Sequence, residues 1–390
     1  MRWRYGYTVL ALCTLAFWAT MVARLAISPI VPFVRADLGL SNTMVGVALS
    51  GMWTAYALSQ FPSGVLGDKF GERRIILAAV GSTALASLLL AAAPNAFAFA
   101  LFAIALGGGA GLHYAVATTF ITKQFDDIGR AIGLHVSGGP AAGLLTPPIA
   151  AALGARYGWR VALLLGAAVA VPVFAVFWFR IEPVSPERPD QPVRERFALG
   201  PLIELLRRPE IAYTTVLAVL GAFAWQATAS FLPAFFEGHH GLSPGMSSLF
   251  FSAYFLIHGA TQPLMGGLSD RFGRDTAATI SMGLGVVGFG LLVVGESPTV
   301  WALAVVLVGV AMSWGAPIQS RYMDILSREE RGAGFGLVRT VYMILGATGS
   351  VTMGLLADLA GWGTAFGTLS GVMALALLAL LANRALSLDL

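Results

Sequence analysis

Long runs of apolar residues, separated by short charged or Pro/Gly-containing turns, follow one another along the whole chain. Each run is about 20 residues long, the length with which a helix crosses a hydrocarbon core of about 30 Å. The pattern predicts an all-α membrane protein with twelve transmembrane helices. They lie near residues 8–33, 43–66, 75–94, 97–121, 131–155, 160–180, 211–235, 246–267, 277–295, 299–323, 333–357 and 364–384.

Positively charged residues accumulate in alternate turns, and the positive-inside rule places those turns in the cytoplasm. The opposite turns contain little beyond Arg35, Arg156 and Arg160. The assignment predicts a multi-pass protein of the cell membrane with both termini cytoplasmic. The cytoplasmic positive charges are Arg2, Arg4, Lys69, Arg73, Arg74, Lys123, Arg130, several in 181–210, Arg271, Arg274, Arg328, Arg331 and Arg384.

The composition agrees with a membrane protein. Only 11% of the residues are charged and 57% are hydrophobic, whereas soluble domains carry about 25% charged residues. The net charge of +4 does not indicate nucleic-acid binding, because the basic residues form no continuous face. The single cysteine, Cys13, excludes an internal disulfide framework and has no metal-ligand spacing. The basic amino terminus predicts an uncleaved first span, since its apolar run is too long for a signal peptide.

The chain contains an internal repeat with an offset of about 202 residues. The triplet "GLS" occurs at 39–41 and at 241–243, and "GW" occurs at 158–159 and at 361–362. Repetition of several landmarks predicts two six-helix halves, 1–180 and 211–390. Residues 181–210 between them are rich in Pro and charge and end with apolar residues at helical spacing. They predict a cytoplasmic linker with an interfacial helix.

One charged turn is itself repeated. "GVLGDKFGERR" follows the second span, and "GGLSDRFGRD" follows the eighth. Small residues let helices approach closely, glycine permits a tight turn, and an aspartate at a helix boundary accepts bonds from a neighbouring helix or pairs with a base. Ordinary topology charge is the alternative explanation. The shared positions are Gly64, Asp68, Lys69, Gly71 and Arg73 in the first copy, and Gly266, Asp270, Arg271, Gly273 and Arg274 in the second.

Twelve spans in two halves, with this turn after the second and eighth spans, resemble the major facilitator superfamily of secondary transporters. The resemblance covers essentially the whole chain and departs from the family pattern at Glu72 and Asp275. It implies two helix bundles that rock about a site near the bilayer midplane, and a cytoplasmic latch formed by the repeated turn. We expect a monomer that needs no cofactor and no metal.

Three arginines lie inside predicted spans, where an ionisable side chain is costly and is a functional hypothesis by default. Arg24 lies deepest and has no acidic residue within helical reach. For Arg321, the alternative to a substrate contact is pairing with Asp324. For Arg339, the alternative is that the side chain extends to the cytoplasmic surface or pairs with Glu329 or Glu330.

Polar and aromatic residues repeat every fourth position in the second and eighth spans and give each half a polar stripe. We predict that these stripes contact the substrate. Three histidines, His113, His135 and His258, are candidates for proton coupling, because the charge of histidine changes near neutral pH. Hydrogen-bonded packing is the more common role for residues such as His113 and His135. The predicted substrate contacts are Arg24, Arg321, Arg339, Tyr56, Gln60, His113, Tyr254, His258 and Gln262.

Buried guanidinium groups without a deep carboxylate favour an anion over a cation, because their donors suit carboxylate or phosphate oxygens. We therefore predict transport of a small organic anion, with phosphate esters and inorganic oxyanions as the next candidates. Proton symport, anion exchange and uniport all remain open. A multidrug/proton antiporter is the alternative, supported by Gly139, Pro140 and Gly143 of a partial antiporter motif. A non-transporting membrane sensor is a further alternative. We expect no enzyme activity, because the G-x-S-x-G match at 241–245 opens a span and follows no strand.

Overall fold

The computed structural model describes residues 5–125, 127–186, 189, 200–327, 330, 333–388 and 390, and these residues contain helices and no β-strand. The chain divides into two compact units. Unit 1 comprises Met1–Leu40 and Gly51–Ala198, and unit 2 comprises Ser41–Ser50 and Leu199–Leu390. Arg2, Arg4, Arg328, Glu329, Arg331 and most of the predicted linker lie outside the described residues.

Unit 1 contains the first six predicted spans, except for the first turns of the second span. Its helices are α1 (Tyr5–Leu25), α2 (Val31–Leu38), α3 (Asn42–Phe70, of which 51–70 belong here), α4 (Glu72–Ala91), α5 (Ala96–Gly111), α6 (His113–Thr122), α7 (Ile128–Val136), α8 (Gly138–Tyr157) and α9 (Trp159–Arg180). Aliphatic and phenylalanine side chains of α1, α4, α6 and α9 form its core, including Val9, Ile76, Phe120 and Phe177.

Unit 2 contains the other six spans. Its helices are α10 (Gly200–Leu206), α11 (Pro209–His240), α12 (Pro244–Phe272), α13 (Arg274–Val294), α14 (Pro298–Ala311), α15 (Gly315–Ile325) and α16 (Ala333–Leu386). Helix α11 packs against α16, where the rings of Phe235 and Phe366 stack with centroids 4.1 Å apart. The short α10 lies where the sequence predicts an interfacial helix, and its Leu205 is buried.

Nine stretches of the described residues are long and apolar enough to cross a membrane. One of them, Gly334–Leu386, holds two spans, because Gly361 has a non-helical backbone within α16. Helices α3 and α12, each 29 residues long, carry the polar stripes and are less apolar. With these additions the twelve predicted spans are all present as helices.

The internal repeat is visible in the backbone. Every glycine with a positive φ in the described chain has a counterpart 202 or 203 residues away. The φ angles agree closely between the partners, and each pair ends or begins a span, where only glycine adopts this conformation without strain. The pairs are Gly39 (65°) with Gly241 (68°), Gly71 (86°) with Gly273 (94°), and Gly158 (89°) with Gly361 (82°).

Glycines also allow helices to cross at backbone contact, which is how helices associate in lipid without a hydrophobic driving force. A Cβ at Gly107 of α5 would lie 1.9 Å from the carbonyl oxygen of Met52 on α3. In unit 2, a Cβ at Gly349 of α16 would lie 2.4 Å from the carbonyl oxygen of Phe223 on α11. Both crossings therefore require glycine.

Four spans are each built from two helices. The breaks occur at Ser28–Ile30 in the first span, at Leu112 in the fourth, at Ser137 in the fifth and at Met312–Trp314 in the tenth. Irregular backbone at membrane depth is tolerated where protein surrounds it. Several of the predicted site residues lie beside these breaks.

Candidate functional site

Arg24 lies on α1, one turn before the break in the first span, and only 3% of the residue is exposed. Its Nε donates to the carbonyl oxygen of Thr20 at 3.1 Å, and its Nη2 contacts Sδ of Met21 at 2.9 Å. Thr20 and Ser28 are also buried, as the predicted polar stripe requires. The guanidinium is thus held by its own helix.

Two aromatic rings of α3 cover this guanidinium. Its Cζ lies 4.0 Å from the ring centroid of Tyr56 and 5.3 Å from that of Trp53. Within the described part of the chain, Arg24 has no carboxylate at ion-pair distance. Cation–π contacts of this kind contribute about 0.5–2 kcal/mol each, well short of the desolvation cost of a buried charge. The arrangement leaves a positive charge and free donor capacity for an anion.

The third member of the stripe on α3, Gln60, is also buried. Its main-chain carbonyl oxygen accepts a hydrogen bond from Oγ of Ser63 at 2.7 Å. Tyr56 and Gln60 lie on one face because they are four residues apart. Unit 1 therefore brings together three of the predicted contacts, Arg24, Tyr56 and Gln60, on α1 and α3.

His113 lies at a different place in unit 1, at the first position of α6. Its ring is fully buried and lies beside the ring of His135 on α7, with centroids 5.5 Å apart. Both histidines were predicted candidates for proton coupling, but no feature of the sequence indicated that they lie side by side. Their sequence separation of 22 residues carries no helical periodicity, and only the packing of α6 on α7 joins them.

The matching stripe on α12 belongs to unit 2. The rings of Tyr254 and His258 stack, with centroids 6.1 Å apart and an interplanar angle of 6°. The hydroxyl of Tyr254 and Nδ1 of His258 are buried and make no hydrogen bond. Gln262 lies near the start of α15, because a Cβ at Gly315 would be 3.9 Å from its Nε2. Unit 2 thus presents unpaired polar atoms on this face.

Arg321 differs from Arg24 because its charge is compensated. It forms an ion pair with Asp275, donates to Oγ1 of Thr214 at 3.0 Å and contacts the carbonyl oxygen of Leu390. The partner suggested from sequence, Asp324, instead accepts a hydrogen bond from Nε of Arg274 at 2.8 Å. The spacing of three residues favoured a pair between Arg321 and Asp324 on one helix. Asp275 lies in the first turn of another helix, α13.

Arg339 lies on α16 and is half-buried. Of its two suggested acidic partners, Glu330 forms an ion pair with Arg208. Glu329 lies outside the described residues.

The first copy of the repeated turn joins α3 to α4. Gly71 occupies the turn with φ 86°, and a Cβ there would lie 2.5 Å from the carbonyl oxygen of Val184. Arg73 donates from Nε to the carbonyl oxygen of Ile181 and from Nη2 to that of Trp178, both at 2.7 Å. It therefore satisfies carbonyl groups at the end of α9, where a cation is favourable.

The glycines of the first copy differ in their surroundings. A Cβ at Gly67 would lie 3.1 Å from a methyl group of Val116, so this position permits a close approach. Gly64 was predicted to do the same, but no atom lies within 4 Å of the place its Cβ would take. Lys69 lies over the ring of Phe70 at 5.7 Å, and Asp68 is half-buried in the last turn of α3.

The second copy joins α12 to α13 and is built in a similar way. Gly273 takes the turn, and the ring of Phe272 lies 5.4 Å from Cζ of Arg271. Arg274 forms ion pairs with Asp270 and with Asp324. A Cβ at Gly266 would have only an ordinary contact, at 3.9 Å.

The two residues that depart from the superfamily pattern, Glu72 and Asp275, each form an ion pair. Glu72, which replaces a usual basic residue, is buried and forms an ion pair with Lys123. Asp275, the departure in the second copy, forms the ion pair with Arg321. Each departing acid therefore has a basic partner within its own unit.

A polar contact within unit 2 was missed by the sequence reasoning. Oδ1 of Asp358 accepts hydrogen bonds from N and Nδ2 of Asn42 at 3.1 and 2.8 Å. Its Oδ2 accepts from N and Oγ1 of Thr43, both at 2.7 Å. A carboxylate at a helix amino terminus satisfies free N–H groups and complements the helix dipole. No sequence signal joins residues more than 300 positions apart.

These features define a class: a helical membrane protein with twelve spans and an internal repeat, with buried polar groups in its spans. The family model of the Major Facilitator Superfamily matches residues 13–243 and 215–387. The chain belongs to this superfamily. The predictions of fold and family are therefore confirmed.

Two relatives illustrate the match. A hexuronate transporter of Bacillus subtilis (strain 168) is 23% identical over 379 residues, which cover 90% of this chain and 87% of the relative. A probable sulfoacetate transporter of Cupriavidus necator is 26% identical over 382 residues, covering 91% and 88%. Among solved structures, the nucleoside transporter NupG superimposes with a TM-score of 0.80 at 14% identity, covering 97% of this chain and 99% of that one. At this identity the solved structure supports the fold alone.

Proposed function

We propose that this chain is a secondary transporter that carries a small organic anion across the cell membrane, and that Arg24 binds the anionic group. One observation carries the proposal. The Arg24 guanidinium is 3% exposed, is covered by aromatic rings and has no carboxylate partner among the described residues. A buried charge without a counter-ion is costly, so its retention in a span points to a ligand that compensates it.

The chemistry of the guanidinium selects the class of ligand. Its planar fork of donors suits a carboxylate or sulfonate, which accepts two parallel hydrogen bonds. A cation would be repelled at this place. The two relatives support the same class by their names, because hexuronate and sulfoacetate are both organic anions.

The other two arginines are weaker candidates for binding the anionic group. Arg321 is already paired with Asp275, so it adds no uncompensated charge to a site. Arg339 is half-buried rather than enclosed. We therefore assign the anionic group to Arg24 alone and assign Tyr56 and Gln60 to the substrate's remaining surface.

Counterflow in proteoliposomes tests this function and separates it from multidrug/proton antiport. Vesicles loaded with unlabelled D-glucuronate or sulfoacetate receive the labelled anion outside, and exchange is followed without an imposed gradient. We expect saturable exchange of at least one of these anions. Labelled tetraphenylphosphonium, a lipophilic cation, serves as the probe for the multidrug alternative.

Two variants sharpen the experiment. Arg24→Gln removes the proposed anion contact and is expected to abolish exchange. Arg156→Gln removes an exposed arginine from the end of α8 and is expected to leave it intact. Cation transport without anion exchange, or equal exchange by both variants, contradicts the proposal.

A further inference from the structure

Polar and aromatic side chains meet within unit 2, where α12 packs against the break in the tenth span. Oγ of Ser313, inside the break, lies 2.8 Å from Oγ1 of Thr261 and 3.4 Å from the carbonyl oxygen of His258. These contacts hold the break beside the polar stripe of α12. We call the combined surface the unit 2 face, and it consists of Tyr254, His258, Gln262, Trp314 and Gln319.

The indole of Trp314 has its place because a glycine leaves room for it. Trp314 is 6% exposed, and a Cβ at Gly221 of α11 would lie 2.5 Å from its ring. The indole also packs edge-on against Tyr342 of α16, with ring centroids 6.3 Å apart. Its Nε1 is buried and donates no hydrogen bond to any described residue. A rigidly held N–H donor is therefore left for a ligand.

Two groups of α12 are also without a partner among the described residues. The hydroxyl of Tyr254 and Nδ1 of His258 are buried and make no hydrogen bond. They do not satisfy each other, because the two rings stack with an interplanar angle of 6° and a hydrogen bond to an imidazole nitrogen lies in the plane of its ring. Since buried polar atoms are nearly always paired, both groups point to a ligand.

Two amide groups extend this surface. A Cβ at Gly315 would lie 3.7 Å from Nε2 of Gln319 and 3.9 Å from Nε2 of Gln262. Both amides therefore reach the same point of the unit 2 face. An amide carries donors and an acceptor, and a hydroxyl group likewise donates and accepts.

The unit 2 face contains no side chain that suits a second anionic group. Residues 254–262 and 313–320, all of which the structure describes, include no Asp, Glu, Lys or Arg. The next residue along the chain, Arg321, is paired with Asp275. An indole N–H, a phenol, an imidazole and two amides instead match hydroxyl groups, which accept from the first and exchange hydrogen bonds with the others.

We propose that the unit 2 face binds the hydroxyl groups of the anion whose charge Arg24 holds, so that the substrate is a polyhydroxylated monocarboxylate of the sugar-acid type. This inference rests on the proposed function. Ligand sites combine apolar walls with a few placed polar groups, and here the aromatic rings supply the walls. A site built to hydrogen-bond hydroxyl groups discriminates against an analogue that lacks them, because its own polar groups then stay unpaired.

Calorimetry on the purified full chain tests this with three anions. D-glucuronate is compared with tetrahydropyran-2-carboxylate, which has the same ring and carboxylate but no hydroxyl groups on the ring. Sulfoacetate is the short anion. We expect D-glucuronate to bind at least about tenfold more tightly than either, because each hydrogen bond to a hydroxyl group contributes about threefold to tenfold in affinity.

Two tyrosines of unit 2, both 0% exposed, supply matched variants. Tyr254→Phe removes an unpaired hydroxyl. It is expected to weaken D-glucuronate binding about threefold to tenfold, to leave tetrahydropyran-2-carboxylate binding unchanged and not to lower the melting temperature of the ligand-free protein. Tyr322→Phe removes a hydroxyl that lies 3.0 Å from Oγ1 of Thr215, so it is expected to lower the melting temperature and to leave the affinity ratio of the two ring anions intact.

The outcomes separate the two proposals. Failure of the wild type to bind any of the three anions overturns the proposed function. Binding of tetrahydropyran-2-carboxylate or sulfoacetate as tightly as D-glucuronate overturns the hydroxyl site and leaves the anion site standing, and this result needs no variant. An unchanged affinity ratio of the two ring anions in Tyr254→Phe also overturns the assignment to the unit 2 face.

Discussion

Replacement of Arg24 by methionine separates a binding role from a structural one. Methionine fills a similar volume in the helix but has neither charge nor N–H donors. At about 4 Å and an effective dielectric constant of about 20, the lost attraction to an anion amounts to about 4 kcal/mol. The lost charge-assisted hydrogen bonds give a lower figure of about 1.5–3 kcal/mol. Anion affinity is therefore expected to fall by about 10-fold to 1,000-fold.

The same substitution has the opposite effect on the stability of the ligand-free protein. Arg24 is buried without a counter-ion, and its contacts with Tyr56 and Trp53 contribute only about 0.5–2 kcal/mol each. Removing the charge also removes a desolvation cost of several kcal/mol. The melting temperature of the ligand-free variant is thus expected to equal or exceed that of the wild type.

Calorimetry with D-glucuronate and thermal unfolding in detergent measure the two quantities on one sample. Arg24→Lys is the matched control, because it keeps the charge but loses the planar fork, and we expect an affinity between those of the wild type and Arg24→Met. A variant that melts lower than the wild type and binds the anion equally well refutes the reasoning and assigns Arg24 a structural role.

Three further predictions concern stability and ionisation. Asp358→Ala removes four hydrogen bonds at the start of α3 and is expected to cost about 1–2 kcal/mol in thermal unfolding, whereas a neutral result shows that water replaces the carboxylate. Gly71→Ala is strained at φ 86° and is expected to cost about 1–3 kcal/mol, whereas Gly64→Ala, with open space around it, is neutral; equal costs contradict the turn assignment. The Arg208 guanidinium lowers the pKa of Glu330 to about 2, so Arg208→Gln raises that pKa towards 4.5 in a carboxyl NMR titration. Because the folded-state pKa is lowered, the contribution of this pair is present above the ordinary pKa and is lost as the pH falls towards about 2.

The fold was predictable from sequence because lipid imposes a strong constraint. A chain in a membrane satisfies its backbone within helices, so apolar run length alone reveals the spans. The repeat offset, read from Gly39 and Gly158 and their partners, marks turns whose positive φ the structure confirms. The breaks within four spans were not predictable, because the apolar pattern continues across them.

The candidate site was only partly predictable. Arg24 stands out in sequence because it lies deep and has no acidic residue within helical reach. The compensation of Arg321 by Asp275 was missed, because the ion pair joins different helices and helical spacing pointed elsewhere. The pairing of His113 with His135 was missed for the same reason. Tertiary packing, which a single sequence does not specify, decides which polar groups meet.

The most direct test of the central claim is a structure of the protein with a bound organic anion. Electron cryo-microscopy with D-glucuronate at saturating concentration locates the carboxylate. We predict that its oxygens lie about 3 Å from the guanidinium nitrogens of Arg24, with Tyr56 beside them. An anion bound at Arg321 or Arg339, with Arg24 still lacking an anionic partner, would contradict the account.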